Sequence, residues 1–316
     1  MGDIYDILII GGGPAGLTAG IYSARSRMKT LLLEKTACGG QILMADVIEN
    51  FPGFPRGTSG PDLAGLMLKQ AEAFGLEIST RDVNKISVSE NGKDPFVVET
   101  IEGDTLKTLS IIVATGANWN ALGVPGEDKL KGRGVSYCAT CDGPLFKNKE
   151  VVVVGGGDTA LGDAIFLTRF ANKVTVVHRR DRLRATRIVQ EKAFVNKKIE
   201  FCLKSVVTEI AGDNKVEGVK VKDISTNKEK TIKADGVFVL IGLSPNSGIF
   251  KGLLKLDKKN YIESDEEMKT SVDGIFVCGD VRKKSLRQVV TAAGEGATAA
   301  VSAGRYVEKL KGTAYE

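Results

Sequence analysis

Two of the chain's five cysteines stand in Tyr137-Cys138-Ala139-Thr140-Cys141-Asp142-Gly143, two residues apart and followed at once by a carboxylate. Five are too few for a disulfide scaffold, so a close pair points to redox or metal chemistry. A tetrahedral zinc site needs four ligands, and Cys38, Cys202, Cys278 and the single histidine, His178, do not supply the rest at zinc spacing. Cys278 lies in the apolar run Gly274-Ile275-Phe276-Val277-Cys278, the setting of a buried inert thiol. Ala139 and Thr140 are small enough to let the chain turn between the sulfurs. Asp142 is the candidate general acid, because thiol intermediates need a proton source and no histidine is near in sequence. A helix cap behind the pair is its alternative role.

Such chemistry has to be positioned, and the chain carries one positioning element twice. Ile7-Leu8-Ile9-Ile10 runs into GGGPAG, and Val151-Val152-Val153-Val154 runs into GGGDTA. Each is an apolar strand, a glycine-rich turn and a helix, the opening of a dinucleotide-binding βαβ unit. Gly11, Gly13 and Gly16 hold the fingerprint positions of the first unit; Gly155, Gly157 and Ala160 hold those of the second. One position makes the tight turn, one lets the backbone approach a pyrophosphate, and the last allows close helix packing, with the helix N-terminus facing the anion. Helices are expected over 14–25 and 159–168, the second with Leu161, Ala164 and Ile165 on one face.

Counting 23 residues from the first glycine reaches Glu34 in one unit and His178 in the other. A carboxylate there can accept hydrogen bonds from both ribose hydroxyls of an adenosine and would repel a 2′-phosphate. His178-Arg179-Arg180 with Arg184 offers instead a guanidinium cluster suited to a phosphate monoester. Two dinucleotides are therefore expected, FAD at the first unit and NADPH at the second. His178 is either at the rim of the NADPH site or a strand-end histidine without chemistry.

The length of 316 residues predicts two domains, each with its own core. No apolar run approaches a membrane span and the first residues do not resemble a signal peptide, so a cytoplasmic protein is expected. The net charge of +5 is spread over scattered lysines, which argues against a nucleic-acid partner. After the second unit come GIFVCGD and the small-residue stretch RQVVTAAGEGATAA, too little for a third domain. The expected fold is α/β, with two Rossmann-like dinucleotide-binding domains. Residues 1–117 and 246–316 form the FAD domain, and 118–245 form an inserted NADPH domain that carries the cysteine pair.

In chain order, GGGPAG, Gly39-Gly40-Gln41, IENFPG, ATGA, CATCDG, GGGDTA, HRRDRLRA, GIFVCGD and Arg287-Gln288 span essentially the whole sequence. Together they closely resemble the low-molecular-weight NADPH-dependent thioredoxin reductases of bacteria. CATCDG between two nucleotide fingerprints is highly specific. The resemblance implies a homodimer, and a redox disulfide between Cys138 and Cys141; no metal is expected. It implies FAD contacts at Gly11, Gly13, Gly16, Glu34, Gln41, Asn50, Asp280 and Gln288, and NADPH contacts at Gly155, Gly157, Arg179, Arg180 and Arg184. The sequence departs from the family at Leu161-Gly162-Asp163-Ala164, which keeps one carboxylate where an acidic pair is common. It departs again at Lys283-Lys284, less acidic than the family's pattern and expected to alter the partner-facing surface.

The implied activity is thioredoxin-disulfide reduction: hydride from NADPH to FAD, then reduction of the disulfide, then dithiol-disulfide exchange with thioredoxin. The resemblance gives Cys141 the flavin-facing role and Cys138 the attack on substrate, with the inserted domain rotating about its two linkers. Two alternatives stand beside it. One is a reductase of another small dithiol or peroxiredoxin-type protein; the other is a non-catalytic redox sensor that binds NADPH without sustained turnover.

Overall fold

The run Ile7-Leu8-Ile9-Ile10 is buried on both faces, which is why it reads as unbroken apolar residues rather than as an alternation. It belongs to the strand Ile4–Ile10, which lies parallel between Thr30–Glu34 and Thr105–Val113 in a seven-stranded sheet. Glu77–Thr80 continues the sheet in parallel beyond Thr30–Glu34. The far edge of Thr105–Val113 serves two neighbours. Its first part pairs antiparallel with Phe96–Thr100, and its end pairs parallel with Ile275–Val277. Val83–Ser87 adds the antiparallel edge. The computed structural model describes residues 4–45, 47–88 and 95–314.

Ile275–Val277 brings the C-terminal segment back to this sheet, and the helix Val289–Lys311 then packs on Pro14–Arg25. The small residues of that stretch have a steric cause. A Cβ on Gly296 would stand 2.2 Å from the Ala15 carbonyl oxygen, so only glycine permits the approach. Ala299 and Ala303 are fully buried in the same layer.

The second glycine-rich unit builds a separate five-stranded parallel sheet. Glu150–Val154 lies between Lys173–Val177 and Gly236–Val239, with Ile199–Cys202 and Val135–Ser136 outside them. Val151 and Val153 face the core shared with Leu161, Ala164 and Leu167 of the helix Asp158–Leu167. Val152 and Val154 face a second core with Val207, Ile210 and Val219, supplied by the antiparallel strands Ser205–Ala211 and Gly218–Asp223. The helix starts and ends one residue earlier than its sequence periodicity predicts. Gly157, with ψ of −179°, is its extended N-cap, and Asp158 opens the helix with its carboxylate accepting from Thr186 N at 2.7 Å. Leu161 and Ala164 are buried as expected, while Ile165 is only half-buried.

The two crossings, Ala117–Trp119 and Leu243–Pro245, pair as a short ribbon. The chain divides into two compact units, Met1–Asn118 with Ser244–Glu316, and Trp119–Leu243. The second unit is thus an insertion in the first. Among the described residues no helix is long and apolar enough to cross a membrane.

Candidate active site

Cys138 and Cys141 form a disulfide, with their Cα atoms 5.3 Å apart. Cys138 is the extended N-cap of the short helix Ala139–Asp142, and its Sγ accepts from Cys141 N at 3.2 Å. Two small residues seat this turn. Ala139 is fully buried, and a Cβ on Gly143 would lie 3.2 Å from Phe166 and 3.3 Å from Leu167, so the turn rests against the helix Asp158–Leu167. On the other flank Ser136 ends a strand in register with Phe238. Tyr137 donates its hydroxyl to Glu127 at 2.8 Å and stacks on Trp119. Glu127 is buried, and also accepts from Leu122 N at 2.9 Å and Gly123 N at 2.8 Å. Burial, reinforced by the Glu127 carboxylate, pushes the Tyr137 phenol well above its ordinary range, so it stays a neutral donor. Asp142 makes no side-chain capping bond to the turn Gly143–Phe146; its Oδ2 accepts from Ser136 Oγ at 2.5 Å.

The first glycine loop is closed on one side and open on the other. A Cβ on Gly11 would stand 2.4 Å from the Ala114 carbonyl oxygen, and one on Gly16 would stand 1.8 Å from that of Gly11. At Gly13, the N-cap of Pro14–Arg25, a Cβ would meet nothing within 4 Å. Glu34 lies beside the loop: its Oε2 accepts from Gly12 N at 2.7 Å, and its Oε1 accepts from Thr36 N at 3.1 Å. Asn50 Nδ2 donates to Gln288 Oε1 at 2.9 Å. Gln41 Nε2 donates to Asn118 Oδ1 at 3.0 Å, and Asn118 donates to Asn246 Oδ1 at 3.1 Å. Asp280 Oδ1 is buried and lies 3.1 Å from Lys284 Nζ, yet among the described residues it has no aligned hydrogen-bond partner.

The second loop repeats the plan with different side chains. A Cβ on Gly155 would stand 2.5 Å from the Leu240 carbonyl oxygen, and Gly157 faces open space. His178 takes the place held by Glu34 in the first loop. Its ring is packed so closely that a Cβ on Gly156 would stand 2.4 Å from Nδ1. Burial first, then a cluster of arginines, depress the His178 pKa, against a hydrogen bond with the Arg182 backbone that favours protonation, so the ring is neutral at pH 7. His178 therefore supports the loop from beneath. Arg179, Arg180 and Arg184 are exposed, and among the described residues no hydrogen bond or ion pair holds their guanidinium groups.

A family model described as pyridine nucleotide-disulphide oxidoreductase matches residues 5–296. The chain is 48% identical over 309 residues to a thioredoxin reductase of Listeria monocytogenes, covering 98% of this chain and 95% of the relative. It is 47% identical to that of Bacillus subtilis, covering 98% and 97%. Its structure resembles the crystal structure of thioredoxin reductase from Streptococcus pyogenes, with a TM-score of 0.92, 45% identity, and 97% and 99% of the two chains covered. The chain belongs to the pyridine nucleotide-disulphide oxidoreductase family. Membership of this family implies dinucleotide cofactors. The open space beside Gly13 and Gly157 in the two loops, and the buried Asp280 oxygen that has an ion pair but, among the described residues, no aligned hydrogen bond, fit such cofactors.

Sequence reasoning missed several residues that shape this pyridine nucleotide-disulphide oxidoreductase site. Ser136 and Glu127 hold the segment around the disulfide, and nothing in their spacing from Cys138 announced either. Asp158 is a third: its carboxylate ties the helix start to Thr186 by backbone and hydroxyl bonds of 2.7 and 2.9 Å. The expectation that both Lys283 and Lys284 alter an outer surface fails for Lys284. Its side chain is 6% exposed and is drawn inward by Asp280 and Glu295, at 3.1 and 3.2 Å. Glu295 also accepts from Gly279 N at 2.9 Å, so this cluster braces the turn that carries Asp280.

Proposed function

We propose that the protein is an NADPH-dependent thioredoxin-disulfide reductase, acting as a cytoplasmic homodimer, with FAD in the unit of the first loop and NADPH in the inserted unit. The observation that carries this reading is the Cys138–Cys141 disulfide seated on the helix that follows the second glycine loop. The relatives named above are thioredoxin reductases at 45% to 48% identity, and this supports thioredoxin as the substrate.

Gly11, Gly13 and Gly16 would admit the FAD pyrophosphate to the start of Pro14–Arg25, with Glu34 at the adenosine ribose. Gln41, Asn50, Asp280 and Gln288 supply further polar contacts. Gly155 and Gly157 would do the same for NADPH, and Arg179, Arg180 and Arg184 would take its 2′-phosphate. Bound FAD supplies the two-electron relay from NADPH to the disulfide.

The chain's own residues perform the exchange. The Cys138 thiolate attacks one substrate sulfur, and the other substrate sulfur leaves with the bonding electron pair. The Cys141 thiolate then attacks the Cys138 sulfur of the mixed disulfide and releases the second substrate thiolate. Both enzyme thiols give up a proton and both substrate sulfurs gain one. Asp142 is the group we propose receives and returns these protons. The test is NADPH oxidation by the purified flavoprotein with oxidised thioredoxin, followed together with thiol release. NADPH binding without sustained oxidation would indicate a sensor instead.

A further inference from the structure

Ser136 lies at the end of Val135–Ser136, held by sheet pairing to Phe238, and its side chain is buried. Its hydroxyl meets three groups of the cysteine segment. It accepts from Cys138 N at 3.1 Å, lies 2.5 Å from Asp142 Oδ2, and lies 3.3 Å from the Cys138 carbonyl oxygen. A hydroxyl has one proton to donate and two lone pairs to accept with. With Asp142 ionised, Ser136 donates to the carboxylate. With Asp142 protonated, the carboxyl donates to Ser136 and the serine proton turns to the Cys138 carbonyl. The Cys138 amide keeps its acceptor in both arrangements.

We propose that Ser136 is a positioning residue for the proton-transfer step, holding Asp142 in one place through a hydroxyl that satisfies both protonation states. This rests on the reading of Asp142 as the group that exchanges protons with the thiols. In each of the two attacks Asp142 takes one proton from a cysteine thiol and gives one to a departing substrate thiolate, so it must cycle between two states. Without Ser136 the half-buried Asp142 Oδ2 would lose the hydroxyl that lies 2.5 Å from it and partners it in both protonation states.

The experiment measures kcat and KM for thioredoxin, together with the rate at which NADPH bleaches the bound flavin. Ser136→Ala is expected to lower kcat roughly tenfold or more, with KM for thioredoxin and the bleaching rate unchanged. In an Asp142→Asn background the same substitution should cost nothing further. Ser136→Thr and Ser136→Val are equal in shape and differ in the hydroxyl, so threonine should exceed valine in kcat even if alanine disturbs the segment. Equal rates for threonine and valine, or additive losses with Asp142→Asn, overturn the Ser136 proposal while leaving Asp142 in its role. Full turnover by Asp142→Asn overturns the parent reading, and the Ser136 proposal with it.

Discussion

Gly12 N donates to Glu34 Oε2 at 2.7 Å, so the residue at the end of the second strand is bonded directly to the middle of the first glycine loop. In the inserted unit the equivalent pair, Gly156 and His178, is joined by packing. One architecture thus carries a charged brace in one copy and a neutral ring in the other. Glu34→Ala removes the brace together with the acceptor proposed for the ribose, and is expected to lower the flavin retained after purification. Absorbance per protein measures it. Full flavin with weakened NADPH would mean that the two loops exchange ligands.

Gly13 and Gly157 have ordinary negative φ values, −71° and −96°, and nothing lies near their missing Cβ atoms. Alanine at either position should leave the thermal midpoint unchanged while obstructing a ligand. Gly13→Ala is expected to lose FAD and Gly157→Ala to weaken NADPH, each without harm to the other site. A large fall in midpoint for the apoproteins would show that the open space is structural.

Arg179, Arg180 and Arg184 are exposed. Because a hydrogen bond to a charged group contributes about 1.5 to 3 kcal/mol, Arg179→Ala should weaken NADPH by roughly ten- to a hundredfold. NADH, lacking the 2′-phosphate, should be nearly unaffected. Equal losses for the two cofactors would remove the phosphate role from this residue.

Cys138→Ser and Cys141→Ser should each still allow NADPH to bleach the flavin, and neither should reduce thioredoxin. The separation follows because hydride transfer does not need the disulfide, whereas exchange needs both sulfurs. Stopped-flow absorbance and a thiol assay distinguish the steps.

Burial pushes the Asp163 carboxyl up to about 6. Its folded value lies above the usual carboxylate value, so the fold favours the protonated form. Its contribution to stability is greatest below about pH 4 and is lost as pH rises through about 6. Asp163→Asn should remove this slope and, allowing for partial exposure, stabilise the protein by about 1 to 2 kcal/mol at pH 7 in urea denaturation. An unaltered pH dependence would place the titration elsewhere.

The two strand-turn-helix units were legible from residue order, because their glycines answer to local backbone geometry and their unbroken runs of branched apolar residues to burial on both sheet faces. The chain order of the residues also placed the cysteine pair, since a three-residue separation brings two sulfurs together within one helical turn. The polar set proposed to contact FAD was legible only through family motifs. Asn50 and Gln288 are 238 residues apart in sequence and hydrogen-bonded in space, and no periodicity reports such a contact. Tertiary structure alone decided that Lys284 turns inward, because that depends on Asp280 and Glu295 converging on it from a turn and a helix. It alone decided that His178 lies beneath Gly156, and that Ser136 stands between Cys138 and Asp142. Spacing along a chain fixes which groups are near one another locally; burial and partner choice are fixed by which distant elements share a core.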